Sequence, residues 1–221
     1  MSTVLTPGEA YRLWAPTYEK AEALAALDER ARADLDPEIA RPLLDAACGT
    51  GRRLRAARRE GRAGAVGVDA VFEMLRAGGG GMPVAAADLR ALPFGSATFR
   101  TAWCRLAVGH LCDLAPLYRE LARVLAPRGL LLVTDFHPAA ARRGMVRSFR
   151  SGGATFAVEH HVHELPSHER AAGAAGLAVE ETLELGVGEE LRPAFEAAGK
   201  LDLYEGQKGL PVLLALRLRR A

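Results

Sequence analysis

Lysine is nearly absent from this chain: only Lys20, Lys200 and Lys208 stand among its 29 basic residues, and the rest are arginine. With alanine and glycine so abundant, this fits the coding bias of a GC-rich genome and implies no function by itself. An excess of one charge is also lacking. The 29 basic and 27 acidic residues leave a formal net charge of +2, so no overall polycation argues for a nucleic-acid or membrane partner. Cysteine is scarce, and Cys48, Cys104 and Cys112 are an odd number without ligand spacing, which predicts free thiols in a reducing compartment. No apolar run approaches a membrane span, and Met1-Ser-Thr-Val-Leu-Thr-Pro-Gly-Glu lacks the charged-then-apolar pattern of a signal segment. A cytoplasmic protein without membrane contact is expected. Internal repeats and dividing linkers are missing too, and 221 residues suit one domain with a sizeable core.

What is present is an alternation of short apolar runs with helical spacing. Pro16 to about Leu35 is helical in pattern, and Pro42-Leu-Leu-Asp-Ala-Ala follows as a strand stopped by glycine. A basic helix spans about Thr50 to Arg59. Ala65-Val-Gly-Val-Asp69 is a second strand, leading to a short helix from Val71 to Arg76. Val84-Ala-Ala-Ala and Thr98 to Cys104 are the third and fourth strands. Leu114, Leu117, Leu121, Val124 and Leu125 mark an amphipathic helix closed by Pro127-Arg-Gly129. Leu130 to Asp135 reads as the fifth strand, buried on both faces. This order predicts an α/β fold, Rossmann-like, with helices on both faces of a mostly parallel sheet. The last third differs: Thr155 to His163, Leu177 to Leu185 and Val212 to Arg219 alternate as strands, and the last is expected to close the sheet antiparallel.

The first strand runs into Asp45-Ala-Ala-Cys-Gly-Thr-Gly51. In an open α/β sheet ligands bind beyond the carboxyl ends of the strands, and glycines there let a ligand approach the backbone. A helix N-terminus follows, with free N–H groups for an anion. Two phosphate-binding motifs fail on required residues. The dinucleotide pattern lacks its third glycine, since Leu54 holds that place, and the P-loop lacks Lys-Ser/Thr, since Arg52 and Arg53 follow Gly51. A nicotinamide-dependent oxidoreductase is argued against on the same ground. Asp69 closes the second strand 18 positions after Gly51, where a carboxylate can take two ribose hydroxyls. Asp88 follows the third strand, placed to meet an adenine amino group.

Asp-Ala-Ala-Cys-Gly-Thr-Gly, Gly-Val-Asp, Ala-Asp-Leu…Leu-Pro-Phe and Leu-Ala-Pro-Arg-Gly-Leu-Leu-Leu-Val-Thr-Asp resemble, in order, the motifs of class I S-adenosylmethionine-dependent methyltransferases. The likeness runs from about Tyr11 to Pro138 and is nearest to the small-molecule branch with the ubiquinone/menaquinone-type enzymes. It implies a seven-stranded sheet and S-adenosyl-L-methionine as cofactor. It also implies a division into a helical cap over 1–40, a cofactor-binding core over 41–138 and acceptor-side elements over 139–221. Ala47 stands where the family has its first loop glycine, which is tolerable if φ there is negative. By resemblance Ala47, Gly49 and Gly51 line the methionine moiety, Asp45 supports its amino group, and Cys48 and Ala70 also belong to the cofactor site. Asp69 holds the ribose, Val71 or Met74 flanks the adenine, and Asp88 with Leu89 meets its edge. Arg105 and Leu106 stand beside the sulfonium through their backbone, and Tyr11-Arg-Leu-Trp-Ala-Pro-Thr-Tyr18 is similar to the aromatic segment that covers the cofactor.

The implied reaction is in-line methyl transfer to a small-molecule acceptor, in which positioning does much of the catalytic work. A base is needed only where the acceptor loses a proton. His110 and His137, after the fourth and fifth strands, are the candidates. Tyr11 and Tyr18 on one side, and the segment from His137 to His163 on the other, are expected to build the acceptor pocket. Strand alternation through Glu159-His-His-Val-His163 would put His161 and His163 on one face, but no close third ligand completes a metal site, and none is expected. Arg52, Arg55 and Arg59 share a helix face, and Arg142, Arg143, Arg147 and Arg150 form a second group. An RNA methyltransferase is the alternative they raise, as is a non-catalytic cofactor-binding protein. The missing interleaved aromatics favour a solvated arginine face over nucleic acid. Oligomeric state and acceptor identity are not legible.

Overall fold

A computed structural model describes residues 3–20, 23–36, 40–60, 64–197 and 199–221. The elements run β1 (Thr3–Leu5), α1 (Pro7–Trp14), a 3-10 segment (Ala15–Lys20), α2 (Ala23–Leu35), β2 (Leu43–Ala46), α3 (Arg52–Arg59), β3 (Ala65–Asp69), α4 (Phe72–Ala77) and β4 (Val84–Ala86). They continue with β5 (Phe99–Arg105), a 3-10 turn (Val108–His110), α5 (Ala115–Val124), β6 (Leu125–Phe136), α6 (Pro138–Arg142), β7 (Ser148–Ser151) and β8 (Ala154–Val158). The chain ends through α7 (Leu165–Ala174), β9 (Leu177–Gly186), α8 (Arg192–Ala197), α9 (Leu201–Gln207) and β10 (Pro211–Arg220).

Seven strands form the main sheet in the order β4-β3-β2-β5-β6-β10-β9. The strands β2 to β6 pair in parallel, and β10 lies antiparallel between β6 and β9. The strand at the C-terminus is therefore inside the sheet, as its apolar alternation implies. Helices pack on both faces because the inner strands are apolar on both. In β6, Leu131 and Val133 join the core under α5 and α7, while Leu130 and Leu132 join the one under α2 and α3. The same alternation repeats in β10, with Leu214, Leu216 and Leu218 on the first face and Leu213 and Ala215 on the second. Chain order reverses between β2 and β5, which opens a crevice at their carboxyl ends.

Three expectations need correction. The helix read over Pro16–Leu35 is a 3-10 segment followed by α2, with Ala21 and Glu22 outside the described residues. Pro127-Arg-Gly129 does not close α5. That helix stops at Val124 because Leu125 turns extended (φ −73°, ψ 140°), and β6 begins there. The strand read over Thr155–His163 ends at Val158, so strand alternation does not govern His160 to His163. Instead β8 lies between β1 and β7 in a small second sheet. β1 has only three residues, too few for periodicity to announce it.

α1 is fixed locally and then docked. Thr6 and Glu9 form a capping box, and Pro7 occupies the first turn, where its missing N–H is no loss. The buried face of α1 carries Tyr11 and Trp14. Trp14 stacks on Phe149 of β7 at 4.9 Å, and Phe149 stacks on Phe156 of β8 at 5.6 Å.

α2 is held by a buried carboxylate. Asp28 accepts from Arg53 Nη2 at 2.9 Å, from Thr134 Oγ1 at 2.6 Å and from Arg105 Nε at 3.2 Å. Burial alone would raise its pKa, yet Arg105 and Arg53, with the Thr134 hydroxyl, bring it down to about 2. Its stabilising effect is therefore full above the ordinary carboxylate value of about 4 and is lost as pH falls toward 2. Asp28→Asn leaves Arg53 without its carboxylate and Arg105 with Glu29 alone; it is expected to lower unfolding free energy by about 3–5 kcal/mol at neutral pH in denaturant titrations, with the gap closing in acid. Asp135 shows the opposite sign. Burial pushes its carboxyl up to about 7 against the bonds from the Phe136 and Gly109 N–H groups. Its folded form holds a proton that the unfolded chain releases, so Asp135→Asn should gain on the wild type as pH rises from about 4 through 7. A variant whose advantage is equal at pH 5 and pH 8 would contradict this.

Candidate active site

The crevice holds a cavity of about 260 Å³. One wall comes from the turn after β2: Ala47, Cys48, Gly49 and Thr50, with Arg52 and Arg53 of α3. Ala47, Gly49 and Gly51 all take positive φ, of 67°, 57° and 74°. The turn is closed by Gly51 N–H donating to Cys48 C=O at 2.9 Å. A side chain on Gly49 would meet Met74 Cε at 3.2 Å, so glycine suits both the backbone and the space. The negative φ expected of Ala47 is not found: this alanine is left-handed, which for an L-residue costs about 1–2 kcal/mol. Gly51 is absent from the cavity wall; it is the N-cap of α3 and shapes the turn from behind.

Asp69 and Asp88 stand at the next two strand ends, and both line the cavity with Ala70, Val71, Met74 and Leu89. Asp69 Oδ2 accepts from Gly49 N–H and Oδ1 from Val71 N–H, each at 2.8 Å. The carboxylate thus ties the first two strand-end turns together, and each oxygen keeps a lone pair for a ligand. Burial raises its pKa in spite of those two bonds. Asp88 is forked to Arg90, whose Nε and Nη2 lie 3.0 and 2.6 Å from its oxygens, and this holds its pKa down. Asp45 lies behind the turn, fully buried, and neither carboxylate oxygen has a hydrogen-bond partner. Burial raises its pKa against the pull of Arg53 and Arg105.

The opposite wall is built by Pro7, Gly8 and Tyr11 of α1, by Tyr18, and by Arg105 to Ala107, His110 and Leu111 after β5. The Arg105 guanidinium turns away from the cavity, bonded to Asp28 and to Glu29 at 3.0 Å. Tyr11 Oη lies 2.9 Å from His110 Nε2, and His110 Nδ1 lies 3.4 Å from Glu159 C=O. A carbonyl only accepts, so the proton sits on Nδ1 and Nε2 accepts from Tyr11. Burial, then the charge of Arg147, brings the His110 pKa down to about 3, so its ring is neutral.

His137 is not part of this site. It is the N-cap of α6, where its Nδ1 accepts from Ala139 N–H at 3.0 Å and its Nε2 faces Glu184 Oε1 at 3.4 Å. Sequence placed it level with His110 because both follow strand ends, and an imidazole cap carries no sequence signature. His160 packs against Gly109, whose missing side chain leaves it room, and His163 Nε2 bonds Leu111 C=O at 2.7 Å. Among the described residues no group of histidines, cysteines and acids is arranged to hold a metal. Pro7, Gly8, Thr50, Arg52, Arg53, Arg90, Ala107 and Leu111 were missed as wall residues, for their positions follow from packing and not from a motif.

S-adenosylmethionine fits this donor set: a glycine-lined turn, an unpartnered buried carboxylate at Asp45, and an Asp69 with capacity left. The methyltransferase-domain family matches residues 44–133. The chain is 33% identical over 178 residues to malonyl-acyl-carrier-protein O-methyltransferase of Dechloromonas aromatica, covering 77% of this chain and 64% of that protein. It is 37% identical over 106 residues to demethylmenaquinone methyltransferase of Corynebacterium kroppenstedtii, covering 48% and 46%. The chain thus spans about half to two thirds of the length of these relatives. Among solved structures, an S-adenosylmethionine-dependent methyltransferase of Mesorhizobium loti superposes with a TM-score of 0.65 at 21% identity, over 87% of this chain and 96% of that one. The cyclase SpnF superposes at 0.68 with 19% identity, over 99% of each chain.

Ala47→Gly should relieve the left-handed strain and raise unfolding free energy by about 1 kcal/mol. An unchanged or lower stability in chemical denaturation would show that the turn is not strained there. Four motifs in order, at the strand ends of a seven-stranded sheet with an antiparallel β10, and a methyltransferase domain matched over residues 44–133 make the chain similar to the class I S-adenosylmethionine-dependent methyltransferases.

Proposed function

We propose that this protein transfers a methyl group from S-adenosyl-L-methionine to a small-molecule acceptor in the cytoplasm, by in-line displacement. One observation carries the reading: the turn after β2, Asp69 and Asp88 share a single cavity with the Tyr11–His110 pair. The bound cofactor supplies an electrophilic methyl group on its sulfonium. Asp69 would accept from its ribose hydroxyls, Asp88 and Leu89 would meet the adenine edge, and Asp45 would answer its ammonium group. Tyr11 and Tyr18 exclude water from above. An acceptor hydroxyl or amine that reaches Tyr11 Oη passes its proton to that oxygen as the tyrosine proton moves to His110 Nε2. The two curated relatives are named for different acceptors, a demethylmenaquinone and a malonyl thioester carrier, so likeness to the family leaves the acceptor open.

Calorimetry with S-adenosylhomocysteine and with NAD tests the cofactor, and binding of NAD alone would overturn the reading. Asp69→Ala removes the ribose partner and the clamp on Gly49 and Val71. It should weaken S-adenosylhomocysteine by about 1–3 kcal/mol, with Asp69→Asn intermediate. Tyr11→Phe and His110→Ala should lower methyl transfer roughly 10²-fold or more for an acceptor that must lose a proton, with His137→Ala unchanged. Full turnover in the first two would remove the proton-transfer role.

A further inference from the structure

Of the arginines at 142, 143, 147 and 150, only Arg147 turns inward. It directly precedes β7, and its Nη1 donates to the carbonyl of Leu106 in the cavity wall at 2.9 Å. Its guanidinium carbon lies 5.6 Å from the Tyr11 ring and 6.0 Å from that of Trp14. Its Nε is shut off from solvent and has no acceptor. The interior arginines Arg53 and Arg105 each hold Asp28, whereas Arg147 makes no ion pair among the described residues. Asp135 stands outside ion-pair distance and its own carboxyl is pushed up to about 7 by burial, while Arg53 adds a second positive charge. Ring faces and one neutral carbonyl compensate a buried guanidinium only in part.

We propose that Arg147 is the anchor for a carboxylate group carried by the methyl acceptor. The inference rests on the methyl-transfer reading and adds a substrate class to it. With Nη1 committed to Leu106, the remaining side of the guanidinium is the Nε–Nη2 edge. Its two parallel N–H groups match the two oxygens of a carboxylate. Arg147 touches Tyr11 and the carbonyl of Leu106, both of which line the cavity, so it stands one residue beyond the cavity wall. A carboxylate there would offset the charge that helps keep His110 neutral, and so would favour proton uptake at Nε2 in the loaded site.

The test follows the Arg147 Nε–H resonance of the full chain by nitrogen-15 NMR, assigned by its loss in Arg147→Lys. In protein saturated with S-adenosylhomocysteine, benzoate should shift this resonance saturably, and benzamide should not. Arg147→Lys keeps the charge and loses the fork. Benzoate affinity, read from neighbouring amides, should fall roughly tenfold or more, with S-adenosylhomocysteine affinity within a fewfold of the wild type. Equal response to benzoate and benzamide, no response, or response to inorganic phosphate in place of benzoate would overturn the proposal. So would a shift produced by S-adenosylhomocysteine but not by methylthioadenosine, because the anion would then be the cofactor's own carboxylate. Failure of S-adenosylhomocysteine to bind at all would instead strike the methyl-transfer reading.

Discussion

The position of the cavity depends on the charge balance around Asp28. This carboxylate is 1% exposed, and it joins α2 to the start of α3 through Arg53 and to the ends of β5 and β6 through Arg105 and Thr134. Taking these ions out of water costs several kcal/mol per ion, and the half-exposed Glu29, which Arg105 meets at 3.0 Å, supplies the second negative charge. Asp45, at the end of β2, feels the same two arginines without bonding to either. Its oxygens make no hydrogen bond, and burial raises its pKa against the pull of both. The same network pins the glycine turn, since Arg53 belongs to the helix that the turn begins.

The parallel core was legible because burial on both faces writes continuous apolar runs. Leu43–Ala46, Ala65–Asp69 and Leu130–Asp135 announce themselves in this way, and their boundaries hold to within a residue or two except at the start of β6. The turn after β2 was legible because only small residues fit where three successive odd positions need positive φ. The Asp28 network was not, since Asp28 and Arg105 are 77 residues apart and no periodicity links them. Nor was the second sheet, whose strands have three to five residues and borrow their burial from α1. His110 and His137 were indistinguishable for a related reason. Both follow strand ends, and only the fold shows that one meets a tyrosine in the cavity while the other caps a helix.

This difference separates the two walls. The wall assigned to the cofactor is made of turns at consecutive strand ends, so its residues sit in short motifs and their backbone does the positioning. The wall assigned to the acceptor is made of side chains from α1, from the turn after β5 and, behind it, from Arg147. They come together through aromatic stacking of Trp14 on Phe149 and through one bond from Arg147 to Leu106. The turn after β2 meets that second wall only at its Tyr18 side, through Thr50 and Glu19, while β7 and β8 support α1 from a separate sheet. A fold built in this way can keep its cofactor chemistry while the acceptor changes, and the full-length superposition on a cyclase shows how far the architecture stands apart from any one reaction. The acceptor is therefore to be read from the charges and hydroxyls of the second wall, where Tyr11, His110 and Arg147 stand together.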